Sequence, residues 1–149
     1  MRQLKMKINL RKIKTEDFEF LWQVHNAALK NYVTKTWGWN EERQQQLFRE
    51  NFETERAKII VFEGEDAGFL DVAERETETV LISMRLLPKF QNKGIGTKII
   101  QNVLNESHRK NKTVRLQVLK INRAKTLYNR LGFEVYDETE THFLMRSKI

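Results

Sequence analysis

Apolar and polar residues follow two different periods along this chain, and the succession of periods predicts strands and helices in turn. Strict alternation over residues 6–13 predicts a first β-strand. Apolar residues at three- and four-residue spacing come next, which predicts a helix with one face packed on a sheet. That face consists of Phe18, Leu21, Trp22, His25 and Leu29. Thr15 is expected to cap this helix.

A tryptophan-rich segment separates this helix from a second, polar one. We expect a loop to begin near Tyr32, and the loop contains Trp37 and Trp39. Asn40 is expected to cap the polar helix, which ends near Phe52. The simplest role for the two tryptophans is to anchor the loop over the core.

The remainder of the chain predicts further strands and two more helices. Strands are expected over 57–62, 67–74 and 79–87 as a meander, and later over 114–118, 133–136 and 142–146. Helices are expected from the apolar stripe that starts at Ile95 and from the stripe that ends at Leu131, where Gly132 is placed to act as the C-terminal cap. The order predicts a mixed α/β fold.

Composition is that of one globular domain over residues 1–149. Apolar residues make up 40% and charged residues 32%, which excludes a disordered chain. The chain contains no cysteine, which excludes disulfides, thiolate metal sites and a cysteine nucleophile. A reducing cytoplasm is compatible with that composition, and the start of the sequence lacks the apolar run of a signal peptide. We therefore expect a cytoplasmic protein with no membrane partner.

The formal charge of +7 arises from 27 basic and 20 acidic side chains and suggests an anionic partner. Nucleic acid is one candidate. However, the basic residues are spread along the chain, and no recognition-helix, RNP or zinc-knuckle pattern occurs. We therefore rank nucleic acid well below a small anionic ligand.

The segment 86–98 joins a strand-like run to a helix through a basic loop that contains Gly94 and Gly96. Glycine allows close approach of the backbone to a ligand, and the start of a helix offers unpaired N–H groups to an anion. The third glycine of a Rossmann turn is absent, and the Gly-Lys pair of a P-loop is absent too. The segment therefore predicts a diphosphate-binding loop of another class.

Two blocks of sequence resemble one known family. The pattern Gln91-x-x-Gly94-x-Gly96 resembles the pyrophosphate loop of the GNAT superfamily of acetyl-coenzyme A dependent N-acetyltransferases. The downstream block 122–133, in which a helix ends in Leu-Gly-Phe, resembles the second GNAT signature. The two blocks occur in the family's order.

The resemblance implies a mostly antiparallel sheet of about seven strands, splayed between its fourth and fifth strands and flanked by about four helices. It implies acetyl-coenzyme A as co-substrate without a metal, and direct acetyl transfer to a primary amine through a ternary complex. The coenzyme-binding residues that it implies are Leu86, Leu87, Lys89, Gln91, Asn92, Lys93, Gly94, Ile95, Gly96, Thr97, Asn122 and Lys125. Backbone N–H groups near Leu86 and Leu87 are expected to hold the pantetheine arm and polarise the thioester carbonyl. Lys98 is a further candidate charge partner.

Tyr128 matches the family's tyrosine in this helix and is expected to act as the general acid that protonates the departing thiolate. Periodicity by itself would place the same tyrosine in the core. The general base is open among Asp71, Glu74, Glu78, His25 and His142, and ordered water is an alternative. Ser83 and Arg85 can line the acceptor side, although structural hydrogen bonding is the simpler role for both.

The acceptor is undetermined. A polyamine, an aminoglycoside, an amino acid and a protein amine all fit, and the acidic residues between Glu41 and Glu55 only weakly suggest a polyamine. The resemblance also allows Trp37 and Trp39 to form a wall of the acceptor pocket. A non-catalytic protein that binds acyl-coenzyme A is the alternative function, and the sequence leaves a homodimer open.

Overall fold

The computed structural model describes residues 7–37, 40–52 and 55–148, with the backbone alone at 28–37, 41 and 51. Over these ranges the chain forms seven strands and four α-helices. The strands are β1 (Ile8–Lys12), β2 (Lys58–Phe62), β3 (Glu65–Glu74), β4 (Glu78–Leu86), β5 (Thr113–Leu119), β6 (Phe133–Glu138) and β7 (His142–Ser147). The helices are α1 (Phe18–Trp37), α2 (Glu41–Asn51), α3 (Ile95–Arg109) and α4 (Ala124–Arg130).

All seven strands belong to one sheet in the order β1-β2-β3-β4-β5-β7-β6. Every neighbouring pair is antiparallel except β4 and β5, which run parallel. The predicted mostly antiparallel mixed sheet and the meander of β2, β3 and β4 are therefore confirmed.

The parallel pair is short. Pairing between β4 and β5 runs only from Glu78 opposite Thr113 to Leu81 opposite Leu116, although β4 continues to Leu86. Beyond Leu81 the two strands separate, as the predicted splay requires. The end of β4 therefore has one edge that none of the described strands covers.

A β-bulge in β4 determines which side chains lie beside this gap. Ser83 pairs with Asp71 and Leu81 pairs with Val72, so Ile82 is an extra residue that reverses the alternation of faces. Arg85 pairs with Phe69 and therefore lies on the same face of the sheet as that phenylalanine.

The sheet separates two hydrophobic cores. The larger core packs α3 and α4 against one face and includes Leu81, Ile100, Leu116, Tyr128 and Phe133. The smaller core packs α1 and α2 against the other face and includes Leu21, Trp22, Phe48, Ile59 and Phe69. Arg85 thus belongs to the α1–α2 face, opposite to the face that carries α3.

The predicted cap of α1 is corrected. Thr15 does not cap α1 but lies inside a 3-10 turn, Thr15–Asp17. The carboxylate of Asp17 accepts the N–H of Lys14 at 2.7 Å, and Arg11 holds the same carboxylate through two hydrogen bonds. The charged carboxylate of Asp17, which Arg11 holds in place, is a stronger acceptor for this N–H group than the hydroxyl of Thr15.

The next segment is also more helical than expected, whereas the second cap is confirmed. Helix α1 continues through Trp37, because no glycine or proline interrupts the chain before Gly38. Asn40 caps α2 as predicted, since its Oδ1 accepts the N–H of Arg43 at 2.9 Å.

Candidate functional site

A cavity of about 770 Å³ lies where β4 separates from β5, and residues of β4, α3, α4 and the adjoining loops line it. This size suits a cofactor-sized ligand. Eight of the predicted site residues line the cavity: Leu86, Gln91, Asn92, Gly94, Gly96, Thr97, Asn122 and Tyr128. The structure therefore brings the two sequence blocks together.

The loop before α3 uses two left-handed backbone conformations. Asn92 has a φ of 62° and Gly94 has a φ of 83°. Gly94 stands at the N-cap of α3 and provides no capping side chain. A side chain is disfavoured in this conformation, which is the physical reason for glycine at position 94.

The start of α3 presents free donors to the cavity. The first backbone bond of the helix joins the N–H of Lys98 to the carbonyl of Gly94 at 3.1 Å. The N–H groups of Ile95, Gly96 and Thr97 consequently have no acceptor within the helix. Such a terminus attracts an anion.

Gly96 allows α3 to approach β4 closely. A Cβ atom at this position would lie 3.2 Å from Cε of Met84 and 3.8 Å from Cδ2 of Leu127, and both of these side chains line the cavity. A larger residue here would therefore narrow the cavity.

Leu86 and Leu87, at the end of β4, differ in the direction of their backbone N–H groups. The side-chain amide of Gln91 donates to the carbonyl of Leu86 at 3.0 Å. The N–H of Leu87 donates to the carbonyl of Ala67 on β3 at 2.9 Å, so a ligand cannot use it. Since successive N–H groups of a strand point to opposite edges, the N–H of Leu86 points to the uncovered edge.

Five predicted coenzyme-binding residues do not line the cavity: Leu87, Lys89, Lys93, Ile95 and Lys125. Lys89 Nζ lies 3.5 Å from Glu65, and Lys125 Nζ lies 4.4 Å from the ring centre of Phe143. Ile95 is 1% exposed and packs in the larger core. Direct contact of these residues with a coenzyme stays a prediction.

Asn122 has a structural partner as well as a place in the cavity. Its Oδ1 accepts the N–H of Ala124 at 2.9 Å and so stabilises the start of α4. A role toward a ligand falls to the remaining amide group, and it stays a prediction.

Three arginines that were not expected at the coenzyme from the sequence line the cavity. They are Arg85, Arg123 and Arg130, and no Asp or Glu occurs among the described residues that line the cavity. Arg123 and Arg130 stand seven residues apart around α4, a spacing that could have placed them on one side of that helix. An excess of cations and an absence of carboxylates fit an anionic ligand.

Tyr128 is 6% exposed, and its ring packs edge-on against Phe133 with 5.7 Å between ring centres. Burial raises the pKa of its phenol above the usual value of 10.0, and the charge of Arg85 opposes that rise. The phenol is therefore protonated at neutral pH and can donate a proton to a group in the cavity.

The carboxylates considered as general bases are engaged elsewhere. Asp71 accepts a hydrogen bond of 2.9 Å from Arg56. Glu74 pairs with Lys112 at 2.9 Å. Glu78 lies at the other end of β4 from the cavity and pairs with Arg115 at 3.0 Å.

The two candidate histidines also lie outside the cavity lining. Burial, helped by the charge of Arg85, lowers the pKa of His25 to about 4, and its ring stacks on Phe48 at 4.5 Å. Burial also lowers the pKa of His142. Trp39 lies outside the described residues, and the side chain of Trp37 does too, so a role as a pocket wall stays a prediction.

The described ranges hold neither a cluster suited to a metal ion nor a helix suited to a membrane. No group of three His, Asp or Glu side chains suited to hold a metal ion occurs in those ranges. None of the helices described there combines the length and apolar character needed to cross a bilayer.

The family model for the acetyltransferase (GNAT) domain matches residues 21–143. No curated protein sequence matches the chain.

Solved structures share the fold at low sequence identity. The PaiA N-acetyltransferase of Thermoplasma acidophilum in complex with coenzyme A has a TM-score of 0.77 and 22% identity, over 97% of this chain and 100% of that one. The ribosomal-protein-S18-alanine N-acetyltransferase of Escherichia coli has a TM-score of 0.66 and 21% identity, over 95% and 93%. Naa50 of Arabidopsis thaliana, in complex with the bisubstrate analogue CoA-Ac-MVNAL, has a TM-score of 0.60 and 15% identity, over 95% and 99%.

Proposed function

The chain belongs to the GNAT acetyltransferase family, and on that premise we propose that it transfers an acetyl group from acetyl-coenzyme A to a primary amine. The transfer is direct and takes place in a ternary complex of protein, thioester and amine. The observation that carries this proposal is the start of α3, where free N–H groups face a cavity lined by three arginines and by no described Asp or Glu.

The described residues fit the coenzyme. Its diphosphate needs several donors and a positive field, which the loop of Gln91, Asn92 and Gly94 and the first turn of α3 supply. Arg123 and Arg130 are exposed at the same cavity and can pair with further phosphate oxygens. The solved relative in complex with coenzyme A adds support from a similar fold.

The uncovered edge of β4 suits the extended arm of the coenzyme. The N–H of Leu86 points into the gap, so it can donate to the arm or to the thioester carbonyl as a strand neighbour would. The N–H of Leu87, also expected from the sequence to face the arm, donates to Ala67, so Leu86 rather than Leu87 supplies the backbone donor.

Attack of the amine on the thioester carbonyl forms a carbon–nitrogen bond and an oxyanion, and collapse of that oxyanion breaks the carbon–sulfur bond. Tyr128 then gives its phenolic proton to the departing thiolate. Its raised pKa keeps the phenol protonated at neutral pH, so the proton is available when the thiolate departs. The charge of Arg85 favours the phenolate that remains.

The amine must lose a proton before or during attack. The carboxylates of Asp71, Glu74 and Glu78 are held in ion pairs away from the cavity, and His25 is a weak base. We therefore propose that water in the cavity takes this proton.

An assay of thiol release with acetyl-coenzyme A over a panel of amines tests the function, beside calorimetry with coenzyme A. We expect tight binding and amine-dependent release. Tight binding without release from any amine would instead identify a non-catalytic acyl-coenzyme A binding protein, and absence of binding would contradict both. Cytoplasmic location, a homodimer and the exclusion of nucleic acid remain predictions from the sequence.

A further inference from the structure

Arg85 occupies a place in the cavity that the diphosphate of a coenzyme does not explain. It lines the cavity, yet it belongs to the face of the sheet that carries α1 and α2, because it pairs with Phe69 after the bulge at Ile82. The start of α3 lies on the opposite face. The guanidinium of Arg85 therefore reaches the cavity from the α1–α2 side, whereas the donors that suit the diphosphate lie on the α3 side.

Few protein groups compensate the positive charge of the Arg85 guanidinium. Its Nη1 donates to the carbonyl of Met84 at 3.0 Å, and its Nε is buried without a hydrogen-bond partner. Among the side chains that the structure describes, no ion pair joins it to a carboxylate. Burial accordingly lowers its pKa. A half-buried cation without a counter-charge is destabilising by itself.

The described ionisable groups around Arg85 do not supply that counter-charge. Asp71 lies on the same face of β3 but is paired with Arg56. His25 and Tyr128 are both neutral at neutral pH. Since none of these neighbours carries a free negative charge, an anion that enters the cavity is the remaining source of one.

Arg85 also differs from the other two arginines of the cavity. Arg123 and Arg130 are exposed at the two ends of α4, where water compensates their charge and where long phosphate-bearing ligands can reach them. Arg85 lies on a strand beside Tyr128, at the part of the cavity where the proposed reaction occurs. The cavity thus contains an outer cationic pair and one inner cation.

We propose that Arg85 binds a carboxylate of the acceptor, so that the preferred acceptors are small amines that carry a carboxylate, as amino acids do. The inference rests on the proposed function, because it names the acceptor class of the same site. A guanidinium binds a carboxylate through parallel hydrogen bonds and so fixes the orientation of the amine.

The same charge disfavours polycationic acceptors. A polyamine would bring like charge beside Arg85 in a cavity whose described lining contains no carboxylate. The acidic side chains that weakly suggested a polyamine do not alter this, since the described ones, Glu42, Glu50 and Glu55, are exposed and none lines the cavity.

Matched pairs of amines test the inference on the unaltered protein. Phenylalanine is compared with phenethylamine, and lysine with cadaverine, at equal concentrations of neutral amine because the members of a pair differ in amine pKa. We expect kcat/KM to be about 10- to 100-fold higher for the carboxylate member, as a charge-assisted pair predicts. Equal or better use of the decarboxylated member would overturn the inference.

Arg85→Gln removes the charge and keeps much of the side-chain length. It should abolish the preference for the carboxylate member while the affinity for coenzyme A stays within about twofold. Arg109→Gln is the matched control, because Arg109 is exposed on α3 and pairs with Glu106. A preference that survives in Arg85→Gln would contradict the inference.

Failure of the proposed function can be recognised separately. If no amine gives thiol release, phenylalanine and phenethylamine are titrated by calorimetry into protein saturated with coenzyme A. Binding of phenylalanine that is lost in Arg85→Gln and retained in Arg109→Gln supports the anion site without any turnover. Equal binding of both amines, or binding of neither, overturns it.

Discussion

Arg85 and Tyr128 line one cavity, and the guanidinium charge of Arg85 opposes the rise that burial causes in the pKa of the Tyr128 phenol. The relationship is reciprocal, since the phenol affects the pKa of Arg85 in turn. A neutral acid and an unpaired cation thus stand together at the gap in the sheet.

Tyr128→Phe tests the acid. We expect kcat to fall by about 100-fold or more, because general acid catalysis is worth at least that factor, while the dissociation constant for coenzyme A changes little. Steady-state kinetics and calorimetry on the same preparations measure the two effects. Tyr136→Phe is the control, since Tyr136 is exposed on β6. Unchanged kinetics across pH in Tyr128→Phe would reject the acid role.

Gly94→Ala separates backbone strain from ligand binding when it is compared with Gly64→Ala. The two glycines have φ values of 83° and 81°, so alanine should lower the free energy of unfolding by a similar 1–2 kcal/mol, roughly, in each. Only Gly94→Ala should weaken coenzyme A binding, by about tenfold. Equal effects of both variants on binding would contradict a role for the loop.

Gly68→Ala should be the most destabilising of the glycine substitutions. A Cβ at Gly68 would lie 1.9 Å from the carbonyl oxygen of Arg85, and backbone atoms cannot yield as a flexible side chain would. We expect a loss of about 3–5 kcal/mol, measured by chemical denaturation. Gly64→Ala serves again as the control, since nothing lies within 4 Å of its added methyl. A loss below about 1 kcal/mol would contradict the close approach of β3 to β4.

The lowered pKa of His25 predicts that the free energy of unfolding falls on mild acidification. Its pKa is about 4 in the folded protein against 6.5 in the unfolded chain, so between these values the unfolded state binds more protons and stability falls as the pH falls. The full loss in the free energy of unfolding is about 3 kcal/mol. His142 acts in the same direction, because its pKa is also lowered.

His25→Phe should remove the larger part of this dependence while keeping an aromatic ring against Phe48. Denaturation of both proteins at pH 7.5 and pH 5 measures the difference. Three carboxylates also have lowered pKa values: Asp17, Glu74 and Glu78. They affect stability at lower pH than this range, so the change between pH 7.5 and pH 5 reports on the histidines. An unchanged pH dependence in His25→Phe would contradict the assignment.

The order of elements and the glycine turn before α3 were accessible from the sequence, because period and glycine placement are local signals. Gly132, for example, has a φ of 96°, as its predicted place just beyond α4 requires. The two sequence blocks meet at one cavity because each lies at an end of a helix beside the same gap.

Other features depend on contacts between distant residues, which no local pattern reveals. The bulge at Ile82 places Arg85 on the α1–α2 face, and only the pairing with β3 shows it. Asp17 displaces Thr15 as the capping group because Arg11, on another element, holds its carboxylate. The N–H of Leu87 is engaged by Ala67, so one of the two expected backbone donors is lost.

The parting of β4 from β5 also bears on solubility. A strand whose peptide groups lack a neighbour normally invites another protein molecule to add itself there, which is a route to fibrils. Here the bare stretch lies between two strands of one sheet and beside α4, so a whole polypeptide has no room to approach it. Only a narrow, extended ligand fits. The unpaired edge of β4 is therefore accessible to a small molecule and inaccessible to a strand of a second copy of the protein.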